Sequence, residues 1–194
     1  ENAEAYWSED GRRLIFQSTR DGWPCDQQYV LELATGAVRR VSTGTGRTTC
    51  GYFYDHDRRV LFSSTHLSAD SCPPRPDYSQ GYAWAVYSAY DIFTARADGS
   101  DLRRLTRTPG YDAEATVSAD GRTILFTSVR DGDLDLYTMR VDGSGVTRLT
   151  NRLGYDGGAF FSRDGRWYCW RAGYPPDSAA AAYRELLARD LVRP

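Results

Sequence analysis

Three stretches of this chain say nearly the same thing: Ala5-Tyr6-Trp7-Ser8-Glu9-Asp10-Gly11-Arg12-Arg13-Leu14-Ile15-Phe16, Ala115-Thr116-Val117-Ser118-Ala119-Asp120-Gly121-Arg122-Thr123-Ile124-Leu125-Phe126, and Ala159-Phe160-Phe161-Ser162-Arg163-Asp164-Gly165-Arg166-Trp167-Tyr168-Cys169-Trp170. A fourth, degraded copy runs from Gly51 to Phe62, with Tyr54-Asp55-His56-Asp57 where the others carry the turn. Self-similarity on this scale restricts the fold to a solenoid, a propeller or an array. No single residue constrains the chain as much.

Each copy is an apolar run, a turn signal and a second apolar run. Asp-Gly between strand-like runs predicts a hairpin with a type I′ turn, which needs positive φ at both central residues. The β-branched and aromatic arms suit strands, here A and B. A third run, strand C, follows at Tyr29-Val30-Leu31-Glu32-Leu33, Asp91-Ile92-Phe93-Thr94-Ala95 and Asp135-Leu136-Tyr137-Thr138-Met139. After a turn comes strand D: Val38 to Ser42, Leu102 to Thr106 and Val146 to Thr150, alternating apolar and basic as an outer strand with one wet side does. Its Arg pairs, such as Arg39-Arg40 and Arg103-Arg104, read as a solvated outer face.

Four antiparallel strands recurring about every 45 residues match a β-propeller blade. The second unit carries about 20 extra residues between its strands B and C, beyond the usual blade. No run before position 177 shows helical apolar spacing, which excludes helical repeats. The expected fold class is therefore all-β: a propeller of four-stranded antiparallel blades, incomplete at about three and a half blades, with a short C-terminal helix. The expected boundaries are 2–43, 47–107 with an insertion at 66–89, 111–151, two strands of a fourth blade at 155–172, and a helical tail at 177–192. Because the chain starts with Glu1 and stops at Arg193-Pro194 before further C or D strands, it reads as a piece of a longer propeller. The remaining blades would come from the rest of that chain or from another copy.

The order Ser-x-Asp-Gly-Arg, Ile-Leu-Phe, Arg-Asp-Gly, Asp-Leu-Tyr, Asp-Gly-Ser, Arg-Leu-Thr is clearest from Ser118 to Thr150. It resembles the PD40, or WD40-like, repeats of TolB-type propeller proteins, over roughly residues 2 to 173. The degraded copy departs from it by lacking the Ser and the Gly. The resemblance implies a non-enzymatic scaffold that binds protein or peptide partners in the periplasm or outside the cell. An alternative is the propeller domain of a larger S9, prolyl oligopeptidase-like hydrolase. Export would permit disulfides, and one bridge is expected among Cys25, Cys50 and Cys72, most plausibly involving Cys72. Cys169, in an apolar strand B, is expected to be a buried free thiol.

Composition narrows the partners. The formal net charge of −2 gives no electrostatic footprint for nucleic acid. No apolar run approaches the ~20 residues of a membrane span. The four cysteines lack paired metal spacing. Neither His56 nor His66 is paired with another histidine, and no Gly-x-Ser-x-Gly elbow occurs, so no catalytic constellation is expected.

In a blade running outward from the channel, the A–B and C–D turns share one end of the sheets. The B–C loops and the entries to strand A share the other, which collects the insertion, Cys25, Cys50, Cys72 and the tail. Function concentrates on loops held by a scaffold, so this end is the expected recognition surface. In the insertion, His66, Tyr78, Tyr82, Trp84 and Tyr87 are candidate binding-loop residues; the other reading is a lid that packs its own aromatics. Counting back from the strand-A serine, position −6 holds Asn2, Asp112 and Asp156, and position −4 holds Glu4 and Glu114. These five either pin blade to blade through hydrogen bonds or form an oxygen ring for a Ca²⁺ ion or a basic peptide segment. Ca²⁺ in the channel is the one cofactor considered.

Overall fold

The structure, a computed structural model, describes residues 1–79 and 81–193. Its elements form a fan of antiparallel sheets. The first blade is β1 (Asn2–Trp7), β2 (Arg13–Ser18), β3 (Gln27–Glu32) and β4 (Val38–Arg40), hydrogen-bonded in that order. The second has β5 (Thr48–Tyr54) and β6 (Arg59–Ser64), then β7 (Trp84–Ala85) within the insertion, then β8 (Asp91–Arg96) and β9 (Arg103–Arg104). Its sheet order is β5-β6-β8-β9, so β7 stands outside the blade. The third is β10 (Asp112–Val117), β11 (Thr123–Ser128), β12 (Asp135–Arg140) and β13 (Thr147–Arg148). β14 (Tyr155–Phe161) and β15 (Tyr168–Gly173) pair as the A and B strands of a fourth. The observed D strands are shorter than the apolar-basic alternation predicts.

The core lies between blades rather than within one. Strand B of the second blade is buried on both faces, with Val60, Leu61 and Phe62 all at 0 % exposure. Alternation sends its residues to opposite neighbours. Val60 and Phe62 pack with Ile15 and Val30 of the first blade, while Leu61 packs with Ile124, Phe126 and Tyr137 of the third. Leu125 and Leu136 then meet Ala159 of the fourth. Cys169 stands in β15 where Leu125 stands in β11, yet it is an exposed free thiol, not a buried one. Among the described residues no further sheet covers that face.

The repeated Asp-Gly turns are not type I′. Gly11, Gly121 and Gly165 have φ of 67°, 70° and 68°, but the preceding aspartates do not. Each glycine N–H donates to the serine carbonyl three residues back, at 3.0, 2.8 and 2.9 Å, so a type I turn is closed by a left-handed glycine. The motif seals itself. Ser118 Oγ donates to Asp120 Oδ1 at 2.6 Å, Arg122 N–H donates to the same oxygen at 3.1 Å, and Thr123 N–H donates to Ser118 Oγ at 3.0 Å. The other two copies make the same bonds. These bonds hold Asp10, Asp120 and Asp164 below the usual carboxylate range.

The degraded copy closes differently. Asp55, His56 and Asp57 are all left-handed, a conformation Asp and His tolerate better than most residues. The buried Asp57 carboxylate accepts the N–H groups of Glu9 and Asp10 at 2.7 and 3.0 Å, and Arg13 donates to Asp57 O at 3.0 Å. What this turn lost in self-closure it uses to grip the first blade.

At the opposite end, the insertion and the tail cover the sheets. The tail forms helix α1 (Ala180–Leu187) after a single 3₁₀ turn, then β16 (Leu191–Val192), which pairs antiparallel with β7. Asp190 ties the two: its carbonyl accepts Val86 N–H at 2.8 Å, and its carboxylate accepts Ser88 N–H and Oγ at 3.0 Å each. Tyr183 of α1 donates to the buried Asp133 at 2.6 Å. Val86, Tyr90, Tyr111, Tyr155, Tyr183 and Val192 share one buried cluster. Cys25, in the first B–C loop, is bonded to Cys72 of the insertion, with Cα atoms 5.8 Å apart. By the chain-entropy account such a bridge contributes about 4 kcal/mol for a loop of this size. Cys50 stays a free thiol.

Candidate functional site

All four innermost strands break register once, between Ala3 and Tyr6, Thr49 and Tyr52, Ala113 and Thr116, and Gly157 and Phe160. The residue at each bulge is left-handed: Glu4 at φ 50°, Cys50 at 56°, Glu114 at 59° and Gly158 at 58°. A β-bulge re-aims the side chain it carries. Here the four bulges turn position −4 of every blade into one cavity of about 360 Å³ at the end of the channel. Two residues further along, Tyr6, Tyr52, Thr116 and Phe160 line the same cavity. The Tyr6 ring lies 5.8 Å from Tyr52 and 5.7 Å from Phe160, close enough for aromatic pairing.

Glu114 is the polar centre. Its Oε1 accepts Tyr111 Oη and Tyr155 Oη at 2.9 and 3.1 Å. Its Oε2 accepts Thr127 Oγ1, Tyr155 Oη and Gly158 N–H at 3.0, 2.9 and 2.5 Å. Burial raises its pKa above the usual carboxylate range, and these donors pull it part of the way back. Gly157 is required beside it, because a Cβ there would collide with Tyr155 Oη and Glu114 Oε2. Glu4, exposed across the cavity, accepts Thr49 Oγ1 and Cys50 N–H through Oε2, both at 3.1 Å. Burial first, then the charges of Glu4 and Glu114, push the Cys50 thiol well up, so it is neutral. Burial and the same negative neighbours push Tyr6 up to about 12.

Of the five acids and amides singled out from the sequence, only Glu4 and Glu114 line the cavity. Asn2 Oδ1 accepts Ser18 Oγ at 2.8 Å, Asp112 pairs with Arg130 at 2.8 Å, and Asp156 Oδ1 accepts Trp170 Nε1 and Tyr174 Oη at 2.8 and 2.9 Å. Simple alternation puts −6 and −4 on one face of the strand, and the bulge cancels it. The second blade has Thr48 in the −6 slot, paired in register with Ser64, and His66 at the chain position where the third blade has Arg130. His66 faces its own blade: Nδ1 lies 2.8 Å from Ser64 Oγ, the ring lies 4.5 Å from Phe93, and burial lowers its pKa. It does not line the cavity.

The insertion supplies the roof. Tyr78, Tyr82, Trp84 and Tyr87 all line the cavity. Trp84 stands edge-on to Tyr155 at 5.8 Å, and Tyr87 donates to Pro74 O at 2.7 Å, so these two are packed. Tyr78 and Tyr82 stack on each other at 5.9 Å and remain 50 % and 73 % exposed. The insertion is thus a lid at one end and an open aromatic surface at the other. Sequence reasoning missed the aromatics at position −2, although Tyr6, Tyr52 and Phe160 sit in register in the aligned copies. Among the described residues no three His, Cys, Asp or Glu side chains gather as a metal set, and no helix is long and apolar enough to cross a membrane. The strand-D arginines are only partly solvated: Arg104 pairs with Asp91 at 2.6 Å and Arg148 with Asp135 at 2.5 Å.

The chain resembles known proteins in sequence and in fold. It is 33 % identical over 126 residues to the Tol-Pal system protein TolB of Bordetella pertussis, and equally so to that of Bordetella bronchiseptica. The chain carries a TolB-type β-propeller. The match covers 65 % of the chain and 24 % of each relative, so the chain spans about a quarter of the length of the curated relatives it matches. TolB of Acinetobacter baumannii superposes with a TM-score of 0.66 at 19 % identity, over 88 % of this chain and 37 % of that one. A puromycin hydrolase superposes at 0.54 with 18 % identity, over 80 % and 24 %, a likeness of fold alone. No protein-family model matches the TolB-type repeats of this chain.

Proposed function

We propose that this propeller is a non-enzymatic scaffold that seats a protein or peptide segment at its channel mouth, in the periplasm. The observation that carries the reading is the aromatic- and carboxylate-lined cavity of about 360 Å³ beneath the insertion. Its size is that of a pocket for a small molecule or a few side chains, and its open wall is the exposed Tyr78-Tyr82 stack. The Tol-Pal system name of its relatives supports a role beside other proteins of such a system. The buried groups at the mouth agree with a non-enzymatic scaffold, since a neutral thiol and a carboxylate engaged by four donors are poor nucleophiles and bases.

The puromycin hydrolase likeness favours a second reading, a propeller that gates a separate hydrolase domain. A Gly-x-Ser-x-Gly elbow encoded downstream would establish it.

Removing the whole insertion is a poor test, because Val86 belongs to a buried cluster and Cys72 to the disulfide. Point changes on the open wall are better. Random peptides displayed on phage and selected on the intact protein are expected to lose binding to the Tyr78→Ala/Tyr82→Ala variant. Peptides that bind both forms equally would place recognition elsewhere.

A further inference from the structure

We propose that the cavity at the channel mouth selects a cationic side chain, an arginine or lysine of the bound segment. The inference rests on the peptide-binding reading above and adds the chemistry of the occupant.

Charge comes first. Glu4 and Glu114 put two carboxylates into the cavity wall. The one cation among the described lining residues, Arg47, is consumed by the buried Asp26, 2.6 Å away. The lining therefore carries a net negative charge, which Arg171 over Trp84 offsets only from the roof, in a setting where partial burial reduces screening. Glu4 Oε2 holds Thr49 and Cys50 N–H, which leaves Oε1 without a protein donor among the described residues.

The same geometry argues against a metal. A hard cation such as Ca²⁺ takes six to eight oxygen ligands. Glu114 offers little freely, because the hydroxyls of Tyr111, Tyr155 and Thr127 and the Gly158 N–H, four donors in five contacts, already point at its two oxygens. It supplies field rather than coordination.

The remaining walls are aromatic. Tyr6, Tyr52 and Phe160 form one group of lining rings, and Tyr82 and Trp84 of the insertion line the cavity as well. A guanidinium or ammonium group is attracted to such faces, while its aliphatic stem packs against their edges. This chain already uses the pairing: Arg40 lies 4.3 Å over Trp23, Arg152 lies 4.1 Å over Tyr174, and Arg171 lies 4.9 Å over Trp84 in the roof itself. A neutral polar side chain would gain neither term, and an acidic one would meet Glu4 and Glu114.

The test titrates the intact protein with fluorescent Gly-Ser-rich heptapeptides that differ only at the central residue: arginine, lysine, or citrulline, which has arginine's shape without its charge. The arginine peptide is expected to bind about tenfold more tightly than the citrulline peptide. Glu4→Gln, whose melting curve should match the wild type, is expected to cut that preference about threefold, and added salt should weaken it further. Equal affinity for arginine and citrulline peptides overturns the proposal. If Tyr82→Ala weakens both equally, the peptide site survives and only its charge preference falls; if no peptide binds at millimolar concentration, both readings fall. Displacement of the arginine peptide by Ca²⁺ alone, reversed by a chelator, would also overturn it in favour of a metal site.

Discussion

At the hairpin end of the blades, Ser8, Ser118 and Ser162 make the same two side-chain hydrogen bonds in the same turn. At the mouth end the backbone is just as regular, with one left-handed bulge per innermost strand, but the side chain on it is Glu4, Cys50, Glu114 or Gly158. One end repeats both backbone and side chain. The other repeats the backbone and varies what it presents. That difference separates an element that only closes hairpins from one that displays a surface, since a rigid scaffold with variable projections is how binding sites are built. The second blade exchanges these roles: its hairpin turn grips a neighbour through Asp57, and its entry replaces the Asp112–Arg130 pair with Thr48 and His66.

The largest expected effect comes from transplanting that exchange. Asp112→Thr should destabilise the intact protein by about 3–5 kcal/mol, because it strands the largely buried Arg130 without its partner. Adding Arg130→His, which reproduces the second blade's solution, should restore about half of the loss. A double variant no better than the single would show that the two blades are not interchangeable at this site. Next is Asp57→Ala, which leaves the amides of Glu9 and Asp10 without their acceptor and should cost about 2 kcal/mol in denaturant unfolding. No loss would mean that this grip does not contribute to inter-blade stability. The smallest effect is read as a pH dependence. Burial raises the folded-state pKa of Glu114, so the folded protein holds its proton more firmly than the unfolded chain. The contribution is full below the ordinary value of 4.5 and is lost as pH rises through the folded pKa. Wild type should therefore gain thermal stability relative to Glu114→Gln as pH falls from neutral, and a constant difference in Tm would contradict that.

The A, B and C strands, their order and their spacing were legible because the apolar runs are strand-length and the Ser-x-Asp-Gly signal recurs. The turn type was not. Asp-Gly permits a type I′ turn, but the serine and aspartate side chains seal a type I turn instead. The bulges left no residue signature, since Glu, Cys and Gly share no chemistry and only the backbone repeats. Counting back from the strand-A serine therefore grouped Asn2, Asp112 and Asp156 with Glu4 and Glu114 at the strand entries, where the structure separates them. Cys25 and Cys72 could be narrowed to one set with Cys50 but not paired, because pairing depends on how the insertion folds back. Cys169 resembled its buried counterpart Leu125, and burial of that face depends on a neighbouring sheet rather than on the strand itself.

The central claim is that four bulges from four different strands converge on one mouth. A short bifunctional thiol reagent tests it directly in the intact protein carrying Cys50→Ser and Cys169→Ser, with Gly158→Cys as one anchor, since a Cβ there meets nothing within 4 Å. Glu4→Cys should be joined to Gly158→Cys in high yield, since the rings of Tyr6 and Phe160, two residues further along the same strands, stand 5.7 Å apart. Asp10→Cys, beyond the far end of a strand about 20 Å long, should not be joined. Equal cross-linking of both positions, or capture of Asp10→Cys alone, would contradict the convergence and the site built on it.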